Sequence, residues 1–166
     1  MRTTMHDDIT RILVPVDFSP HAELAFRYAT TLARRLGARL GLVHVVEDPF
    51  ATGAWSSEIY MPNIPELLQD LIAGAERELA TLKASDAAKG LTVETAVITG
   101  RPAHTIVEHA KEGGFDLIVM GTHGRTGLAH VVMGSVAERV VRKAPCPVLT
   151  VRATENAEAR DTSAAA

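Results

Sequence analysis

The chain has 166 residues, 46% hydrophobic and 22% charged, with a formal net charge of −3; this suits one globular domain and excludes a disordered chain. An acidic balance with no basic run lacks the electrostatic footprint of a nucleic-acid-binding protein, and no apolar run approaches the ~20 residues that cross a membrane. The single cysteine, Cys146, permits no intrachain disulfide, and the polar N-terminus carries Asp7 and Asp8 where a signal peptide has an apolar core, so a cytoplasmic protein is expected.

Residues 11–17 (RILVPVD) form a β-branched, nearly continuous apolar run, as expected of a strand covered on both faces. Ser19 and Pro20 suit the N-cap and first position of a helix. Ala22, Ala25, Phe26, Ala29, Leu32, Ala33 and Leu36 then recur at steps of three and four, and Gly37 is the stop signal. A second strand is read at 39–46. The long connection 47–64 holds Pro49, Gly53, Trp55, Tyr60 and Pro62 and is expected to be a mobile flap or a partner contact.

A second helix is expected over 65–89, burying Leu67, Leu68, Leu71, Ile72, Ala75, Leu79 and Leu82. A third strand follows at 91–98, and a third helix opens at Pro102 and buries Ile106, Val107 and Ala110. The fourth strand lies at 115–121, the fourth helix runs from near Ser135 to before Pro145, and the fifth strand lies at 147–151. The tail 153–166 reads as disordered and residues 1–8 as a flexible extension, leaving one domain over 9–152. Strands alternating with helices imply parallel pairing through right-handed crossovers, hence an α/β fold with an open, doubly wound sheet.

In such a sheet ligands bind beyond the carboxyl ends of the strands, where strand order reverses. The loops after the first and fourth strands therefore matter most. The second of these carries Gly121, Gly124, Gly127 and Gly134 and runs into Ser135. Glycines let a backbone turn sharply and present bare N–H groups, and a helix start adds free amides and the positive end of a dipole. The pattern is a phosphate cradle without a lysine, and Asp17 opposite it suits a ribose or a base amino group. Bland alternatives stand beside this reading: Ser135 and Glu138 form a capping box, S-x-x-E, and Asp17 caps the first helix. Cys146, between Pro145 and Pro147, reads as a small buried hydrophobe. His104 and His109 read as helix-surface residues, His44 as a satisfied core histidine, and His123 and His130 lack the companions of a zinc site, so no metal is expected on protein side chains.

At these residues the chain resembles the universal stress protein family, whose nucleotide-binding members carry G-x2-G-x9-G-[S/T]. Gly121, Gly124, Gly134 and Ser135 fall on that motif with both spacings correct, and VPVDFS, LVHVVE, DLIVMGTHGRTG and GSVAERVVRKAPCPVLTV look like family segments in the family's order. The resemblance implies an adenine-nucleotide α-hydrolase-like (Rossmann-like) fold of five parallel strands in the order 3-2-1-4-5. It implies that Pro15, Val16 and Asp17 border adenine and ribose, that the Val45 backbone reads the adenine edge, and that Met120 packs near the base. Gly121 and Gly124 are expected beneath the ribose and α-phosphate. The amides of Gly134, Ser135 and Val136, with the Ser135 hydroxyl, are expected to hold the outer phosphates, and Arg125 either adds charge to them or is a solvated loop residue.

The expected function is that of an ATP-binding regulatory or stress-response module, with Mg2+ helping to retain the triphosphate and an unidentified protein partner sensing the bound state. No general base, nucleophile pair or P-loop lysine accompanies the cradle, so at most slow hydrolysis is expected. The alternative is an ATP-using enzyme of the same architecture, an ATPase or nucleotidyl transferase. An apolar fifth strand at a sheet edge invites pairing, and the resemblance implies a homodimer with Val148, Leu149, Thr150 and Val151 in an antiparallel seam.

Overall fold

The computed structural model describes residues 8–47, 64–122 and 133–152. Five strands, β1 (Arg11–Pro15), β2 (Arg39–Val46), β3 (Val93–Thr99), β4 (Leu117–Gly121) and β5 (Val148–Val151), alternate with four helices, α1 (Pro20–Leu36), α2 (Ile64–Ala84), α3 (Pro102–Glu112) and α4 (Ser135–Lys143). A single 3-10 turn, Asp86–Ala88, follows α2. All strand pairs are parallel and the order is β3-β2-β1-β4-β5, as expected. The expected flap over 47–64 lies almost wholly outside the described residues, as do all but the last residue of the extension 1–8, the tail 153–166, and Gly124, Arg125 and Gly127.

Burial on both sheet faces explains the near-continuous apolar strands. One face packs Ile12, Val14, Leu40 and Leu42 against Ala22, Ala25, Phe26 and Ala29 of α1 and Leu79 of α2. The other packs Leu13, Val43, Ile118 and Met120 against Ile106 and Ala110 of α3 and Ala137 and Val140 of α4. Ser19 caps α1 as expected, its hydroxyl accepting the Ala22 N–H at 3.2 Å, with Pro20 in the first turn. Gly37 ends the helix at φ 67, a conformation costly for any side chain.

Two expectations need correction. β1 stops at Pro15 rather than reaching Asp17, because the Val16 carbonyl bonds the His44 ring and Phe18 turns into the left-handed region at φ 61. Leu67 and Leu71 of α2, expected in the core, are 40% and 47% exposed. The reason is length. A helix of 21 residues spans roughly 31 Å, whereas strands of seven or eight residues span roughly 23–27 Å. Its C-terminal half packs on the sheet through Ala75 and Leu79, and its N-terminal turns overhang the strand ends. Leu36, at the last turn of α1, is likewise 49% exposed.

Candidate functional site

A cavity of about 750 Å³ opens where β1 and β4 part, α1 leaving on one face of the sheet and α4 lying on the other. Nine of the expected site residues line it: Pro15, Val16, Asp17, Val45, Met120, Gly121, Gly134, Ser135 and Val136. The remaining two, Gly124 and Arg125, fall outside the described residues.

The β1–α1 turn supplies the acid. Asp17 Oδ1 accepts the Ser19 N–H at 3.1 Å and the Ser19 hydroxyl at 2.5 Å, so the carboxylate orients the residue that caps α1 rather than capping the helix itself. Its position on the cavity wall follows from that local closure.

β2 supplies a backbone edge. Val43 O accepts the Val16 N–H on the β1 side, and Val46 O accepts the Gly100 N–H on the β3 side. Backbone groups therefore face β1 at odd positions and β3 at even ones. Val45 faces β1 at a level where the β1 ladder has ended, its last register pair being Pro15 with Val43. Its N–H and C=O are turned to the cavity, the geometry that reading a base edge requires.

α4 supplies amides. The helix begins at Ser135 as expected, but Gly134 is its N-cap and no side chain makes a capping bond, so the Ser135–Glu138 capping box does not form. The Gly134 N–H is bonded to Thr122 O at 2.7 Å, which removes it from the expected phosphate donors. The first intrahelical bond from this turn is Glu138 N–H to Gly134 O, leaving the amides of Ser135, Val136 and Ala137 without intrahelical acceptors at the positive end of the dipole. All three residues line the cavity. Gly121 is a cavity residue with a second constraint: a Cβ there would sit 3.0 Å from the backbone of His21 in the first turn of α1.

The α2 wall escaped the sequence reading. Asp70, Leu71, Gly74, Arg77 and Glu78 line the cavity together with Glu47. Their spacing, 70, 74 and 78 on one helical stripe, was available in the sequence, but the apolar period through Leu67 and Leu71 drew that stretch into the core. With Asp17, the described lining carries four carboxylates against the one guanidinium of Arg77. Among the described lining residues, positive potential for an anion therefore comes from Arg77 and the backbone amides of α4.

His44 is buried and its Nδ1 lies 2.7 Å from Val16 O, as expected of a satisfied core histidine. Burial pushes the Cys146 thiol up, with a further push from Asp116, which suits a packed hydrophobe. Among the described residues no three His, Cys, Asp or Glu side chains group as metal ligands, and no helix is long and apolar enough to cross a membrane.

The universal stress protein family model matches residues 8–152. Universal stress protein MJ0531 of Methanocaldococcus jannaschii is 36% identical over 148 residues, covering 86% of this chain and 81% of that protein. Among solved structures, the protein MJ0577 superposes with a TM-score of 0.77 at 29% identity, covering 89% of this chain and 98% of that one. A universal stress protein in complex with cAMP superposes at 0.64 and 25% identity, over 87% and 98% of the two chains. One from Archaeoglobus fulgidus in complex with dAMP superposes at 0.52 and 26% identity, over 85% and 96%. With its own fold and nearly its whole described length matched, this chain belongs to the universal stress protein family.

Proposed function

We propose that the protein binds ATP in the cavity between β1 and β4 and acts as a nucleotide-dependent regulatory or stress-response module. One observation carries the reading: three amides at the start of α4 open onto the same cavity as the Val45 edge and the Asp17 carboxylate. Amides suited to phosphate and a backbone edge suited to a base thus border one space large enough for a nucleotide, which supports the reading. Related structures holding cAMP and dAMP support an adenine nucleotide as the ligand class.

The carboxylate-rich lining bears on the ligand's charge. A free triphosphate faces Asp17, Glu47, Asp70 and Glu78 with only Arg77 to offset them among the described lining residues, so ATP is proposed to enter with Mg2+, which neutralises phosphate oxygens while keeping its own waters. The same lining favours a second reading, a monophosphate such as AMP or cyclic AMP. Mass spectrometry of co-purified nucleotide, followed by titration with ATP, ADP, AMP and cyclic AMP with and without chelator, separates the two. Tight ATP binding that survives excess chelator removes the metal, and preference for AMP or cyclic AMP removes ATP.

The proposal includes little or no catalysis, since neither a lysine nor a paired base and nucleophile stands among the described cavity residues. Steady-state ATP turnover above about 1 per second would instead make the chain an enzyme. It also includes a homodimer. Among the described residues β5 pairs with β4 alone, which leaves its outer edge unpaired there, and Leu149 is 39% exposed between half-buried Val148 and Thr150. Two β5 strands paired antiparallel about a two-fold axis cover that edge. Val151 is buried in the core of the subunit, so the test falls on the exposed strand residue: lysine at Leu149 sets like charges together in the seam, and light scattering is expected to show a dimeric parent and a monomeric variant. A monomeric parent at micromolar concentration removes the interface.

A further inference from the structure

We propose that His44 is a positioning residue for this site: by fastening the β1–α1 turn, it keeps the Val45 N–H available to the ligand and Asp17 on the cavity wall. The inference rests on the nucleotide reading above for its ligand, but its geometry stands without one.

Where β1 and β2 run together, the Val16 N–H bonds Val43 O, and a continued parallel ladder would next bond the Val45 N–H to Val16 O. The chain does otherwise. His44 Nδ1 lies 2.7 Å from Val16 O. A carbonyl only accepts, so Nδ1 carries the proton and donates it. The side chain of one β2 residue thus replaces the backbone bond of its neighbour. Because His44 satisfies the Val16 carbonyl, β1 leaves the sheet without a buried orphan acceptor, and the Val45 N–H is left facing the cavity.

The same ring acts on the turn a second time. Phe18 has φ 61, an uncommon conformation for a residue with a side chain, held only where surroundings over-determine it. Its ring stacks on His44 with centroids 4.6 Å apart and planes 30° from parallel. His44 therefore holds Val16 by a hydrogen bond and Phe18 by its face, and Asp17 lies between them. Asp17 then sets Ser19, which caps α1. His44, Val16, Asp17, Phe18 and Val45 all border the cavity.

Two substitutions separate the two contacts. His44→Asn keeps an N–H near the place of Nδ1 and loses the ring; His44→Phe keeps a stacking ring and loses the donor. Phe18→Gly removes the stack at no backbone cost, since glycine accepts φ 61. Each variant is titrated with Mg-ATP, and amide hydrogen exchange is followed on the nucleotide-free protein at Ser19 and Ala22. For His44→Phe the expected result is roughly tenfold weaker binding, the scale of one hydrogen bond, with faster exchange at both amides. His44→Asn is expected to recover most of both, and Phe18→Gly to give the same changes more weakly. Exchange at Ser19 and Ala22 unaltered in both His44→Phe and Phe18→Gly would overturn the proposal. So would a His44→Phe protein that binds Mg-ATP as the parent does. If the parent itself binds no ATP, the nucleotide reading fails, and the exchange comparison still decides whether His44 holds the turn.

Discussion

The two ends of the sheet are built from similar polar material to opposite purposes. At the amino ends of the strands, the Asp116 carboxylate accepts the Thr10 N–H, the Thr10 hydroxyl and the Arg11 N–H, each at 2.9 Å. The Arg11 guanidinium lies 4.9 Å from the Phe115 ring centre and 3.1 Å from Glu94. The Phe115 ring fills the space that side chains at Gly41 and Gly113 would claim, a Cβ there meeting it at 2.6 and 2.5 Å. At the carboxyl ends, amides of α4 and the edge of Val45 face a cavity instead of each other, and a residue is held at φ 61. One end closes its polar groups on the protein; the other keeps them for a ligand. Stability and binding should therefore be separable by mutation.

The largest expected effect tests the closed end. Phe115 is 7% exposed, and Phe115→Ala leaves both a cavity and an uncovered Arg11, at a cost of about 3–5 kcal/mol in urea unfolding. Nucleotide affinity of the folded variant should match the parent. A large affinity loss alongside native-like stability would show that the two ends are coupled. Gly134→Val is the converse. Gly134 has φ −70 and ψ 156, an extended conformation open to any residue, so the melting temperature should barely change while the added side chain fills the mouth of the α4 cradle. No ATP binding should be detectable. Parent-like binding would mean the phosphates lie elsewhere. The motif predicts the same loss of ATP binding for Gly124→Val.

What the sequence disclosed divides along the same line. The fold was legible because β1, β2, β4 and β5 are short apolar runs and the helix ends that matter most carry local chemistry: Ser19 and Pro20 open α1, Gly37 closes it, and Pro102 opens α3. The position of the site followed from topology, since the switch point between β1 and β4 needs only the strand order. Hydrogen-bond ownership was not legible. The motif assigned the Gly134 amide to a phosphate, yet the Thr122 carbonyl takes it, a bond between residues twelve positions apart along the motif loop. The α2 wall was hidden for a different reason: periodicity reports that Leu67 and Leu71 share a face, and only the length of helix against strand shows that this face overhangs the sheet.

A smaller effect belongs to Ser135. A capping box would make Ser135→Ala cost roughly 1 kcal/mol of stability, but Gly134 occupies the cap position and no side-chain capping bond exists. Stability should then change by less than about 0.5 kcal/mol. If the hydroxyl contacts phosphate alongside the amides, affinity for ATP should fall several-fold, within about 1 kcal/mol. Measuring unfolding and binding on the same preparation separates the roles. A drop in stability with unchanged affinity would reassign Ser135 to the helix.

The smallest effect is electrostatic and returns to the closed end. His109 of α3, expected on the helix surface, is instead half-buried, its ring centroid 5.7 Å from that of Phe115. Burial holds its pKa below the ordinary value of 6.5, Arg11 adding to the depression and Glu112 opposing it. The folded protein thus prefers His109 neutral, whereas the unfolded chain takes up a proton near 6.5. The unfolded state binds more protons between the two values, so stability rises with pH there. The contribution is complete above the unfolded value, is lost as pH falls through it, and stops changing below the folded value. In His109→Gln this titration is gone. Urea midpoints for parent and variant, followed from about pH 7.5 to pH 5.0 across that window, should converge or diverge by this one term, with the parent losing more stability on acidification. ATP affinity should show no corresponding difference between the two proteins, because His109 packs against Phe115 at the end of the sheet remote from the α4 amides and Val45. Parallel stability profiles would show that its burial carries no weight, and a His109-dependent affinity profile would show that the separation of the two ends fails for charge even where it holds for packing.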